Sequence, residues 1–172
     1  MEVGCGNGHF LAEYCARHPD VSYLGVELKA KRCLKAVQKI ERGGLARARI
    51  VQAAAEQVVG ALPDASVSRY HIYFPDPWPK ARHRRRRFLR AGNLTDLRRT
   101  LRPGGELCFA TDFLDYFIQA KLLCLLDPGL ELLPWGPRED IFISVYGKLF
   151  ADKGRAVHAF SARRRPDRPC PD

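Results

Sequence analysis

The chain has 172 residues, 46% of them apolar, a formal net charge of +10 and a pI near 9.6. That is one domain's worth of sequence with enough apolar residues to bury a core. The positive balance favours a polyanionic partner, RNA or DNA first. No apolar run approaches the ~18 residues that a membrane span needs.

Apolar runs alternate with helix-period stretches, the pattern of an α/β domain on a mainly parallel sheet. Residues 2–4 predict the remnant of a first strand, and 9–18 a helix stopped by Pro19. YLGVE, 23–27, predicts a short buried strand. Residues 30–42 have helical period and end at Gly43-Gly44. ARIVQA, 48–53, is a third strand, and RYHIYF, 69–74, a fourth closed by Pro75. Residues 84–101 predict a helix broken near Gly92-Asn93. Pro103-Gly104-Gly105 predicts a turn into strand 106–111, and 113–126 predict another helix. Residues 130–135 and 156–162 pair as a closing hairpin. The domain thus runs over 1–162, and the basic tail RRRPDRPCPD, 163–172, is expected to be disordered. Only Met1-Glu2-Val3 precede the first glycine, so either the chain is a fragment or its first strand is stunted.

The cysteines are Cys5, Cys15, Cys33, Cys108, Cys124 and Cys170. They form no Cys-x-x-Cys pair and no His cluster accompanies them, so no metal site is expected. Scattered cysteines fit free thiols in a reducing cytosol, hence a cytoplasmic protein. No charged stretch followed by an apolar one opens the chain, so no signal peptide is expected.

EVGCGNG, residues 2–8, reads as strand, then Gly-x-Gly-x-Gly, then helix. Gly4, Gly6 and Gly8 let the backbone turn tightly and approach a ligand closely. Against the dinucleotide fingerprint, the third glycine falls one residue early. Glu27 ends the second strand about 20 residues on, where an acid grips ribose hydroxyls. NAD and S-adenosylmethionine both present such a ribose. Two features favour S-adenosylmethionine: the glycine spacing, and Glu2, an acid that suits a cationic methionine end and repels a pyrophosphate. The alternative is a tight structural turn with a surface Glu27.

FPDPWPK, 74–80, follows the fourth strand, where an open α/β sheet forms its ligand crevice. Pro75 and Pro77 fix the backbone on either side of Asp76, so the corner presents a rigid carboxylate suited to orientation. Trp78 offers a flat face for stacking a base. Lys80, Arg82, Arg84, Arg85, Arg86 and Arg87 are then placed to hold phosphates. A solvated helix face is the competing reading of this run.

FPDPWPKARHRRRRF resembles the signature of the bacterial tRNA (guanine-N7-)-methyltransferases, the TrmB-type enzymes. EVGCGNG is similar to their glycine loop, LGVE to the end of their second strand, and ATDFLDY (110–116) to their Thr-Asp segment after strand five. The resemblance runs from residue 2 to about 160 and implies a Rossmann-like class I methyltransferase fold. That fold is a mainly parallel sheet of seven strands with an antiparallel last strand and helices on both faces. The implied reaction moves a methyl group from S-adenosylmethionine to N7 of guanine 46 in the tRNA variable loop. The resemblance puts Glu2, Gly4, Gly6, Gly8, Glu27, Ala53, Ala54, Glu56 and Asp76 at the cofactor. It puts Asp76 at the catalytic centre as well. Lys80, Arg82, His83 and Asp112 fall on substrate-binding positions, as do Ser144, Val145, Tyr146 and Gly147, which match a Thr-x-Tyr-Glu segment. The implied partner is tRNA, with no metal and no membrane, in a monomer or a homodimer.

Three departures stand out. The family carries a longer segment ahead of the glycine loop, Ala53 stands where the family has an Asp beside the adenine, and Gly147 replaces a Glu. Competing readings are a truncated, non-catalytic RNA-binding relic, an NAD dehydrogenase and a small-molecule methyltransferase. Glu2 argues against the second, and the third leaves the arginine block without a purpose.

Overall fold

The computed structural model describes residues 1–134, 141 and 144–166. The first half contains β1 (Glu2–Val3), α1 (His9–Arg17), β2 (Tyr23–Glu27), α2 (Ala30–Arg42), β3 (Ala48–Gln52), α3 (Ala55–Ala61) and β4 (Val67–Tyr73). A 3-10 turn (Ala81–Arg86) leads to α4 (Ala91–Thr100), β5 (Leu101–Thr111), α5 (Leu114–Leu126), β6 (Leu130–Leu132), α6 (Val145–Asp152) and β7 (His158–Arg164). The strands form one sheet in the order β3-β2-β1-β4-β5-β7-β6. β7 runs antiparallel to both its neighbours, and the other neighbouring pairs are parallel. This is the class I methyltransferase topology.

β1 is two residues long yet sits in the middle of the sheet, with Glu2 level with Gly25 on one side and His71 on the other. The pairing carries past its end, because the amides of Gly4 and Cys5 both donate to the Val26 carbonyl. Side-chain alternation then sorts the core into two layers. Tyr70, Ile72, Leu107 and Phe109 pack on one face with Leu97 and Tyr116 from α4 and α5. Tyr73, Cys108 and Ala110 pack on the other with Phe10, Leu11 and Tyr14 from α1. The strand order reverses at β1/β4, so the crevice of this sheet opens above Gly4 and Phe74.

The helix expected over 84–101 is shorter and starts later. The arginine run forms the 3-10 turn, Arg87 and Arg90 take extended backbone, and the chain bends over 88–90 before α4. The reason is Arg87, whose side chain turns inward and cannot do so from the outer face of a helix. Asn93 closes the segment by donating to the Phe88 carbonyl (2.7 Å). Pro103-Gly104-Gly105 is not a turn before the strand but a bulge within β5. Val67 pairs with Leu101 and Arg69 with Glu106, so four residues of β5 stand opposite Ser68 alone. α3 and α6 have no counterpart among the predicted elements. The last strand continues past the expected boundary at 162 through Arg164, where Glu106 and Glu131 draw Arg163 to the sheet. The rest of the expected tail, 167–172 with Cys170, lies outside the described residues.

Cys5, Cys15, Cys33, Cys108 and Cys124 are buried free thiols. Among the described residues no cluster of three or more His, Cys, Asp or Glu is placed to hold a metal, and no helix is long and apolar enough to cross a membrane. Gly8 carries the α1–α2 packing: a Cβ there would stand 2.7 Å from the Cβ of Ala36, on a backbone with φ +71°. Gly8→Ala is therefore expected to cost about 1–3 kcal/mol from overpacking alone, read as a lower urea midpoint. Gly4→Ala meets no atom within 4 Å and carries only the strain of its φ of +72°. It should cost about 1–2 kcal/mol.

Candidate functional site

The glycine loop lies on top of β1 and is tied down by Glu27. One Glu27 oxygen accepts the Gly6 amide (3.1 Å) and the other the Lys29 amide (2.8 Å), while Arg32 approaches at 3.8 Å. Gly4 and Gly6 both have positive φ, and open space where a Cβ would stand. The result is a backbone cradle with room for a ligand. Gly8 lies behind it, against α2.

Below the cradle sits Glu2, 5% exposed, with its Oε2 buried and without a hydrogen-bond partner. Burial is the main reason its carboxyl is pushed up from 4.5 to about 8; the Met1 amino group opposes the rise only while protonated, and burial lowers that group itself to about 5, while Glu27 adds to the rise. The folded chain thus holds this proton over a range where the unfolded chain releases it. The group's contribution to stability is full below pH 4.5 and is lost as pH climbs to about 8. A buried acid without a partner costs stability unless a cation supplies the charge.

Two cavities flank the cradle. One, about 250 Å³, is lined by Glu2, Gly4, Gly6, His9, Asp76 and Ser144 among others. The other, about 360 Å³, extends over Glu27, Ala53, Ala54, Glu56, Asp76 and Trp78. Gly4, Arg32, Tyr73, Phe74 and Asp76 line both, which makes them two ends of one cleft. Asp76 stands exposed at their shared rim.

The corner that carries Asp76 is held in an unusual backbone. Phe74 (φ 52°) and Trp78 (φ 43°) are non-glycine residues in the left-handed region, on either side of the two prolines. Each such residue stores about 1–3 kcal/mol of strain, which the surroundings must hold. Part of the restraint is Arg87, fully buried, whose Nε donates to the Pro77 carbonyl (2.8 Å). Its other nitrogens reach Gln119 (2.5 Å) and Asp115 (2.6 Å), and the guanidinium lies 4.8 Å from the Tyr116 ring centre. Hydrogen bonding to Arg87 holds the Asp115 carboxyl below its ordinary range.

This corrects the expectation that Arg87 holds a phosphate: it is an internal brace. Arg84 also pairs with Asp115 (2.8 Å), and Arg86 lies over the Trp78 ring at 4.9 Å, so a cation already covers one face of that ring. Lys80, Arg82 and Arg85 remain exposed on the rim. His83 packs edge-on to Trp78 and its Nε2 accepts Arg82 Nε (3.3 Å).

The other expected substrate residues are spread. Asp112 lies beyond the end of β5, 3.7 Å from Arg155, and lines neither cavity. Ser144 and Tyr146 line the smaller one. The Ser144 hydroxyl donates to the Ile141 carbonyl (2.7 Å) and accepts the Gly147 amide (2.9 Å), which starts α6. A Cβ on Gly147 would fall 2.2 Å from the Ile141 carbonyl oxygen, so this backbone requires glycine there. The side chain of Val145 lies outside the described residues. Arg32, Tyr73 and Phe74 line both cavities and were missed. For Arg32, the available signal was its place in the first turn after Glu27.

A larger groove, about 1120 Å³, lies at the other end of the sheet between Arg98, Arg99, Arg164 and Arg165. Its arginines are engaged in the fold: Arg99 with Asp64 and Asp96, Arg164 with the Leu101 carbonyl, Arg165 with Glu131.

A family described as putative methyltransferase matches residues 1–133. A protein of Geobacter metallireducens named tRNA (guanine-N(7)-)-methyltransferase is 34% identical over 95% of this chain and 81% of its own length. One of Paracoccus denitrificans with the same name is 34% identical over 96% and 71%. A third, from Caulobacter sp. strain K31, is 41% identical, and the chain spans 58% of its length. Among solved structures, TrmN from Thermus thermophilus superposes with a TM-score of 0.65 at 18% identity, over 95% of this chain and 42% of that one. The aminoglycoside resistance methyltransferase NpmB1 superposes at 0.63 and 21%, over 95% and 85%. Those structures share the fold. The extent of the sequence matches places this chain in the tRNA (guanine-N7-)-methyltransferase family.

Proposed function

We propose that the domain, which runs through the last strand to Arg164, acts in the cytoplasm and transfers a methyl group from S-adenosylmethionine to N7 of a guanine in tRNA, with guanine 46 of the variable loop as the target. The observation that carries this reading is Glu2: a buried carboxyl, one of whose oxygens has no hydrogen-bond partner, under a glycine cradle in a cleft that opens onto a strained Asp-Pro corner. Glu2 suits the ammonium of the methionine end, Glu27 the ribose, and the segment Ala53, Ala54 and Glu56 the adenine. When bound, S-adenosylmethionine supplies a methyl carbon activated by its sulfonium.

The chain's residues then have little proton chemistry to do. N7 of guanine carries an in-plane lone pair and no proton at neutral pH, so no general base is needed. Alignment and exclusion of water remain. Phe74 and Tyr146, whose ring centres are 6.0 Å apart, stand on the cleft wall beside Asp76. Asp76 offers a negative charge where the methylated base becomes cationic. Asp112 would accept the N1–H and N2–H edge that separates guanine from adenine. Lys80, Arg82 and His83 hold phosphates at the rim, Ser144 and Tyr146 form the far wall, and Val145 and Gly147 carry those two in the backbone of the same segment. A guanine freed from tertiary contacts enters at a cost of about a few kcal/mol.

Seating an ammonium beside Glu2 expels its proton wherever the empty site is protonated. Cofactor affinity is expected to rise with pH until about 8 and to rise no further, since the cofactor's own α-ammonium, with an ordinary pKa of ~8, loses its proton there. The limiting slope is about tenfold per pH unit. Glu2→Gln should lose that slope. Calorimetric titration from pH ~6 to ~9 reads both, and equal slopes in the two proteins would remove Glu2 from the site. The reaction itself is tested with labelled S-adenosylmethionine and two tRNA transcripts, one carrying 7-deazaguanosine. Label in the ordinary transcript alone is the expected result; label in both would overturn N7 as acceptor.

A further inference from the structure

We propose that the outer face of α2 is a second phosphate-binding track, carrying the tRNA backbone away from the cleft on the side opposite the arginine turn. The inference rests on the tRNA reading above. Lys29 and α2 together hold Lys29, Lys31, Arg32, Lys35, Lys39 and Arg42 against one acid, Glu41. At 3.6 residues per turn, Lys31, Lys35 and Arg42 fall on one line opposite the buried Cys33 and Ala36. Arg32 and Lys39 fall beside that line. Arg32 has Glu27 within reach, at 3.8 Å. Among the described residues no acid pairs with Lys31, Lys35, Lys39 or Arg42.

The cations also crowd one another. Partial burial, then Arg42 and Lys35, hold the Lys39 ammonium below its ordinary range. His9, at the cleft wall, is lowered by burial, then by Lys39 and by Lys148 of α6, so cations of two elements converge on that wall. Like charges four residues apart weaken a helix, and among the described residues no acid pairs with Lys31, Lys35 or Lys39 to offset them. A polyanion outside the fold would.

The track is continuous with the site. Lys29 and Arg32 line the same cavity as Arg86, so the two basic surfaces meet across the cleft that Asp76 rims. α2 is about 20 Å long, with its lysines about 6 Å apart along the axis, enough for several successive phosphates. A membrane surface fits worse. Cys33, Ala36 and Ile40 of α2 already pack into the fold, and the exposed Leu34 and Val37 are too small an apolar face to seat the helix in a bilayer.

The test compares two folded variants with equal charge loss, K31Q/K35Q/K39Q/R42Q on the track and R17Q/R47Q/R102Q/K121Q elsewhere. Binding of unmodified tRNA is measured from ~50 to ~200 mM salt. The track variant should lose about tenfold or more in affinity, and the slope of log K against log salt should flatten by about 3, for four lost phosphate contacts. Its affinity for S-adenosylmethionine should match the parent's. The same Kd and slope in both variants would overturn the proposal. A parent that binds tRNA through the track but transfers no methyl group would keep the track and sink the methyltransferase reading. A parent that methylates, with equal slopes in both variants, would sink the track alone.

Discussion

Asp76→Ala should lower single-turnover methyl transfer by about 10²–10³-fold and leave S-adenosylmethionine binding nearly unchanged. Methyl transfer moves the positive charge from the sulfonium to the base, so a carboxylate nearer the base than the sulfur favours the transition state over the bound cofactor and raises rate more than affinity. The corner is built to keep that carboxylate in place. Two prolines and two left-handed residues fix the chain from 74 to 78, and the Arg87 guanidinium holds the Pro77 carbonyl from behind. A side chain free to turn away would lose most of its effect, since alignment within about half an ångström is what such a group contributes. Asp76→Asn keeps the shape and removes the charge, so it separates electrostatics from packing: it should lose nearly as much as the alanine. Full turnover in either variant would remove Asp76 from the chemistry.

Arg87→Met should be the most destabilising single change in the arginine run. It orphans the Pro77 carbonyl and breaks the contacts to Asp115 and Gln119. It also leaves unsupported strain at Trp78. Lost packing and an unsatisfied acceptor together come to about 3 kcal/mol, or ~6–12 °C in Tm for a domain of this size. Arg87→Lys keeps the charge but not the planar fork, and should fall in between. Arg85→Met, on the exposed side of the same turn, should stay within about 0.5 kcal/mol of the parent. Equal melting temperatures for Arg87→Met and Arg85→Met would show that the buried arginine is no brace.

These two neighbours show what a sequence reading reaches and where it stops. Composition announces a basic block, but only the fold decides which of six successive basic or His side chains turns inward. Arg87 does so because α5 presents Asp115, Gln119 and Tyr116 to it, about 30 residues away in the chain. The strand YLGVE and the helix over 30–42 were legible because apolar runs and helical period are local signals, and both boundaries match the structure. α3 was not, since seven residues give too little period to recognise. The bulge at Pro103–Gly105 looks like a turn in sequence, and only the pairing of β4 shows that the strand resumes. Of the site, the cradle and the corner were legible through glycines and prolines, whose backbone preferences are local. The burial of Glu2 and the position of Arg32 depend on packing between strands and were not.

Chain cleavage at 7-methylguanosine, after incubating the protein with unmodified tRNA and S-adenosylmethionine, reads the transferred methyl group at its own atom. One cut is expected, at the variable-loop guanine, with far less in the Asp76→Ala reaction. Cleavage at another guanine, or a methylated tRNA that does not cleave, would contradict the proposed function.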